Sequence, residues 1–148
     1  MATHAEKMKE AFNQEVADRF IALSDTAGGL VKFLGIKLVE FSPGQVVAEL
    51  NVKDELLTPF GNLHGGVMSA FTDHVLGAVC YPHMKKGQWA ATAEFKLNLL
   101  APVSKGTVRA VAEIINMTRS TAVVQIRMDN DGRPCVAAQG TVLIMDPR

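Results

Sequence analysis

Residues 61–80 read GNLHGGVMSAFTDHVLGAVC: a His-Gly-Gly turn, then a run of small and apolar residues carrying one carboxylate, Asp73. After Gly65-Gly66 come about fifteen residues without proline, closed by Pro82, in which Val67, Phe71, Val75 and Ala78 recur at steps of three and four. That period predicts a helix, and its low polarity predicts that the helix is buried. A buried helix needs an apolar surface to lie on, and the residues downstream supply one. Thr92 to Leu99 alternates polar and apolar residues without a slip, Val108 to Ile115 and Thr121 to Met128 do likewise, and Asn130-Asp131-Gly132 makes a turn into Val136 to Met145. Upstream, Ile36 to Leu38 and Val46 to Leu50 flank Ser42-Pro43-Gly44, the composition of a hairpin. Consecutive strands with short connections favour an antiparallel sheet, so the class is α+β with the apolar helix against the sheet. A further amphipathic helix is predicted from Thr3 to about Leu23, where Met8, Phe12, Val16 and Phe20 recur among charged residues ahead of Gly28-Gly29.

The 148 residues fit one domain with a real core. Fifteen Lys plus Arg balance fifteen Asp plus Glu, so no net field draws nucleic acid or an anionic membrane, and a small-molecule or protein partner is expected. Two cysteines, Cys80 and Cys135, are too few for a disulfide framework, and MATHAEKMKEAF lacks the apolar core of a secretory signal. The expectation is a cytoplasmic protein. Charged residues interrupt every hydrophobic run before the ~18 residues a membrane helix needs.

On a helical grid Asp73 shares its face with Gly66, Ala70 and Gly77, so its neighbours one turn away have almost no side chain. Such a notch admits another chain's backbone or a narrow ligand, and desolvation there would make the carboxylate a stronger base. The alternative of equal weight is that Asp73 points to water or satisfies a nearby backbone donor. His64-Gly65-Gly66 lies where the helix begins, where glycine permits close approach and free amides point toward negative charge. Taken alone, the same tripeptide is simply a glycine-assisted turn into a helix. Nine residues separate His64 from Asp73, or ~13.5 Å at ~1.5 Å per residue. If both serve one substrate, the second group must come from a neighbouring subunit, which points to a two-fold dimer with composite sites.

His64-Gly65-Gly66, Asp73 nine residues on, and then TAEFKLNLLAP from Thr92 to Pro102 resemble the hotdog-fold acyl-CoA thioesterases, in particular the PaaI-like group. The resemblance covers roughly Ile36 to Met145. It implies a long central helix wrapped by a curved antiparallel sheet, with residues 1–34 as an N-terminal helical extension and 35–146 as the core. It also implies dimers whose sheets join, often paired into tetramers, and hydrolysis of an acyl-CoA substrate with no metal and no cofactor. Asp73 corresponds to the acid that activates water or attacks the thioester, Gly65 to the backbone oxyanion donor, His64 to a positioning group, and Thr92 to a residue that orients water. The strand alternation puts Thr92 with Glu94 and Lys96 on the polar face, against that last role. Several relatives carry Asn six residues before the histidine, where this chain has Thr58; Asn62 is the nearest substitute. Gly66 and Met68, with Thr58 and Asn62, complete the implied substrate contacts. The same fold also resembles dehydratases, hydratases and non-catalytic acyl-CoA-binding proteins, which stand as the alternative reading.

Other candidates carry less. Cys80 and His83 have a metal-like spacing but no second pair nearby. His74 points about a hundred degrees from Asp73 and reads as packing. His4 lies near the terminus, Trp89 reads as packing at the start of a strand, and Lys85-Lys86 are either a solvated loop or a contact for nucleotide phosphates.

Overall fold

The computed structural model describes residues 1–147. The N-terminal part is helical: α1 (His4–Ala11), α2 (Gln14–Thr26) and α3 (Gly29–Leu34). The one helix expected from Thr3 to Leu23 is therefore two, and the break has a local cause. Phe12 is extended, and Asn13 caps α2: its side chain accepts the Val16 N–H at 3.2 Å while its own N–H donates to the Pro82 carbonyl at 2.8 Å. A short polar side chain that satisfies the backbone locally competes with helix continuation. Gly35, at φ 74°, closes α3 in the left-handed conformation that glycine adopts without penalty.

Six strands follow: β1 (Ile36–Ser42), β2 (Gln45–Asn51), β3 (Trp89–Leu99), β4 (Thr107–Met117), β5 (Thr121–Asn130) and β6 (Arg133–Met145). They form one sheet in the order β1-β2-β4-β5-β6-β3, and every neighbouring pair is antiparallel. β3 does not pair with β4, which follows it in sequence; it lies on the far edge beside β6. Trp89, expected to pack, is 41% exposed at the start of that edge strand.

Between β2 and β3, α4 (Gly65–Ala78) lies across the sheet and buries Met68, Phe71, Thr72, Val75, Leu76 and Ala78. Val108, Ala110 and Ala112 of β4, Val124 and Ile126 of β5, and Val142 of β6 are buried with them. Thr72, the one buried polar side chain among the described residues, donates its hydroxyl to the Met68 carbonyl at 2.8 Å. Burying each large side chain contributes about 1.5–3 kcal/mol, so this stripe alone makes α4 an obligatory part of the core. A long helix wrapped by an antiparallel sheet is the hotdog arrangement that the resemblance implied.

Candidate active site

The N-terminus of α4 is built by its first three residues. His64 is extended and caps the helix, its Nδ1 accepting the Gly66 N–H at 2.8 Å. That nitrogen must then be unprotonated, which leaves the proton of the neutral ring on Nε2. The His64 N–H is itself anchored, donating to the Leu56 carbonyl at 3.0 Å. Gly66, expected among the substrate contacts, has its N–H occupied by His64. The Gly65 N–H, the first of the helix, has no acceptor among the described residues and points along the positive end of the helix dipole. A side chain at Gly65 would come within 3.1 Å of Leu99 Cδ1, so the helix start abuts the C-terminal end of β3.

Thr58 and Asn62 form the loop ahead of this helix. The Thr58 N–H donates to the Asn62 carbonyl at 2.7 Å, and Thr58 Oγ1 accepts the Phe60 N–H at 3.3 Å, leaving Phe60 89% exposed at the tip. Met68, expected to touch substrate, is 3% exposed and belongs to the core.

Two turns further along, Asp73 lines a cavity of about 380 Å³ together with Phe20, His74, Gly77, Tyr81 and Thr92. Gly77 supplies the space the sequence foresaw: a side chain there would find only Ala90 Cβ, at 3.9 Å. Asp73 itself is exposed, so one chain alone does not give it the dry surroundings expected of the notch.

Thr92 reaches this cavity because the strand alternation does not hold. The pairing of β3 with β6 runs Thr92 with Val142 and then Glu94 with Thr141, a bulge at Ala93. Consecutive residues of β6 face opposite sides, so the bulge puts Thr92 on the side of buried Val142 and Glu94 on the outer side. Glu94 accordingly accepts the Thr141 hydroxyl at 2.7 Å. Gly140 makes room for the bulge, since a Cβ there would stand 2.6 Å from the Glu94 carbonyl oxygen.

The remaining polar candidates fall into place around this centre. His74, read as packing, lines the cavity next to Asp73 with its Nε2 buried and unpartnered. Burial lowers its pKa, partly opposed by the Asp73 charge, and keeps the ring neutral. The Cys80 thiol is pushed up to about 12 by burial. His83 is held down to about 4 by burial, with His4 adding, while its Nε2 accepts the Gly44 N–H at 2.9 Å. No cluster of three His, Cys, Asp or Glu suited to a metal occurs among the described residues. Lys85 and Lys86 join Arg19 around a separate cavity of about 380 Å³. The sequence held one signal for the role of α2 here, the apolar Phe20, whose ring lies 4.6 Å from that of Tyr81.

The candidate groups thus lie in two separate places. A carboxylate and a hydroxyl share one cavity near Thr92, and a free amide at a helix N-terminus abuts Leu99. Thr92 and Leu99 are seven residues apart on one strand, ~23 Å at ~3.3 Å per residue. The carboxylate can take a proton from water, and the amide can stabilise an oxyanion, but one chain keeps them apart.

A family model described as the thioesterase superfamily matches residues 60–137. The 1,4-dihydroxy-2-naphthoyl-CoA hydrolase of Listeria monocytogenes is 31% identical over 103 residues, which are 70% of this chain and 84% of that one. Among solved structures, a Haemophilus influenzae thioesterase superposes with a TM-score of 0.79 at 27% identity, over 84% of this chain and 88% of its own. The E. coli PaaI protein shares the fold over 98% of both chains, with a TM-score of 0.79 at 18% identity. No helix among the described residues is long and apolar enough to cross a membrane.

Proposed function

This chain belongs to the thioesterase superfamily and is a thioester hydrolase, and on that footing we propose that it cleaves acyl-CoA thioesters with Asp73 as general base in sites shared between two subunits. The observation that carries the reading is the cavity that Asp73 and Thr92 line together. Asp73 takes a proton from a water held by the Thr92 hydroxyl, and the hydroxide adds to the thioester carbonyl carbon. The resulting oxyanion is stabilised by the Gly65 N–H at the start of α4 of the second subunit. Collapse breaks the C–S bond, and the departing thiolate takes the proton from Asp73, giving free acid and CoA. His64, by capping the helix, holds the Gly65 amide in place. The CoA moiety has a precedent in the naphthoyl-CoA hydrolase from Listeria.

The second subunit joins through β3. Among the described residues that strand has one partner, β6, and it carries Trp89 and Leu99, 41% and 59% exposed, on an open edge. A long edge whose backbone groups lack a second partner strand is a template for pairing. Antiparallel pairing of β3 with its copy about residues 95 and 96 sets Thr92 of one subunit beside Leu99, and hence Gly65, of the other. Pairing of two such dimers would give the tetramer.

Two measurements test this. Asp73→Asn should lower thiol release from acyl-CoA about a hundredfold or more with the fold retained, as removal of a general base does. Gly65→Pro removes the amide at the one helical position that tolerates proline. Each variant should be inactive alone, and mixing equal amounts through reversible unfolding should restore about a quarter of wild-type activity, because half the dimers then hold one intact composite site. No recovery on mixing, with dimers formed, would refute the shared site.

A further inference from the structure

Beside the Asp73 cavity lies a second one of about 210 Å³, and Phe20 and His74 line both. The rest of its wall is almost wholly apolar. Leu23 and Ala27 come from α2 and its cap, Val31 from α3, and Leu38 from β1. The one hydroxyl, Ser24 Oγ, is engaged in accepting the Leu38 N–H at 3.2 Å.

Resting on the acyl-CoA reading above, we propose that the N-terminal helices α2 and α3 wall the chamber that receives the substrate's acyl group, and that this chamber limits the group to one ring or an aliphatic tail of similar bulk. Connectivity supports the placement. The acyl chain is bonded to the carbonyl carbon that Asp73 serves, so its first carbons must enter a space adjoining that cavity, and Phe20 and His74 are where the two spaces meet. Chemistry supports the occupant. Leu23 is 53% exposed on the chamber rim, an apolar surface that an acyl tail would remove from water. Volume sets the limit: a cavity of about 150 Å³ lined by aliphatic side chains takes a benzene ring, and 210 Å³ adds room for a substituent but none for a sixteen-carbon chain. The wall carries no charged side chain, so an acyl group ending in a carboxylate would lose its hydration there without a partner.

The test is kcat/KM for acetyl-, hexanoyl-, benzoyl-, succinyl- and palmitoyl-CoA with the wild-type protein, Val31→Phe and Leu23→Ala. The wild type should prefer hexanoyl and benzoyl over palmitoyl and succinyl by tenfold or more. Val31→Phe should lower the hexanoyl-to-acetyl ratio about tenfold, and Leu23→Ala should raise the palmitoyl-to-hexanoyl ratio severalfold. A general loss of structure lowers all substrates together and cannot move the two ratios in these senses. Should Val31→Phe fail to fold, Leu23→Ala, at an exposed position, decides alone. Ratios unmoved in folded variants overturn the chamber while leaving the hydrolase intact, as does a change in sedimentation with the ratios unmoved, which would make this face a contact between copies. No thiol release from any of the five substrates by the wild type overturns both readings.

Discussion

Replacing Gly140 with alanine should damage activity from a position that touches no substrate. Gly140 lies on β6 opposite Phe95, next to the bulge at Ala93. A Cβ there would stand 2.6 Å from both the Glu94 carbonyl oxygen and Phe95 Cβ, 0.8 Å short of the 3.4 Å at which ordinary contact begins. Two of the obstacles belong to the backbone or sit directly on it, so no side-chain rotation relieves them, and a third, Leu76 Cδ2, waits at 3.1 Å on α4. Overpacking of this kind costs about 1–3 kcal/mol, offset by the smaller chain entropy of alanine, worth about 0.5–1 kcal/mol. A net loss of about 1 kcal/mol corresponds to about 2–4 °C in Tm for a chain of this size. The local consequence is larger. β3 must move away from β6 or lose its bulge, and either change shifts Thr92 relative to Asp73; a displacement of about 1 Å in a catalytic constellation costs about a hundredfold in rate. Thermal unfolding and thiol-release assays on the same preparation measure both effects. A Gly140→Ala protein with Tm within about 1 °C of wild type and full turnover would refute the account of why Thr92 faces the cavity.

Gly77→Ala should behave in the opposite way. Its new methyl group meets nothing closer than 3.9 Å, and alanine favours a helix interior over glycine by about 0.8–1 kcal/mol, so Tm should rise by about 2–4 °C while turnover falls because the methyl enters the notch beside Asp73; a less stable protein would contradict this. Acid should weaken the fold through His83. Its folded value of about 4 lies below the ordinary 6.5, so between those two pH values the unfolded chain takes up the proton first, and the stabilisation present above pH 6.5 is lost as pH falls through the window. His74, also lowered by burial, acts in the same direction. The urea midpoint should therefore be lower at pH 5 than at pH 7, and the difference should shrink in His83→Gln; an equal difference in both proteins would exclude His83 as a source.

Much of this fold was legible because the signals are local. The steps of three and four from Val67 to Ala78 depend only on which side of a helix a residue occupies, and α4 spans Gly65–Ala78 as that pattern required. Alternation located β3, β4 and β5, and turn composition located β1, β2 and β6, though each strand runs further than the pattern. Even the missed break between α1 and α2 had a local sign, Asn13, a residue type that caps helices. Asp73, Gly65 and His64 stood out by the same logic, as a carboxylate in an apolar helix and a glycine turn at its start.

The face of Thr92 and the surroundings of His74 were not legible for a different reason. The alternation of Thr92 to Leu99 is unbroken in sequence, and the bulge that turns Thr92 inward comes from pairing with β6 some fifty residues away and from the room that Gly140 leaves. His74 points away from Asp73 on the helix, yet α2 folds over both and makes them walls of one cavity through Phe20. The sequence by itself determined the class, the buried helix and the acid it carries, because periodicity and backbone chemistry act over a few residues. Only the tertiary structure decided that β3 takes the sheet edge, that Thr92 joins Asp73 and that the N-terminal helices border their cavity, because those outcomes depend on register and packing between segments that no local pattern records.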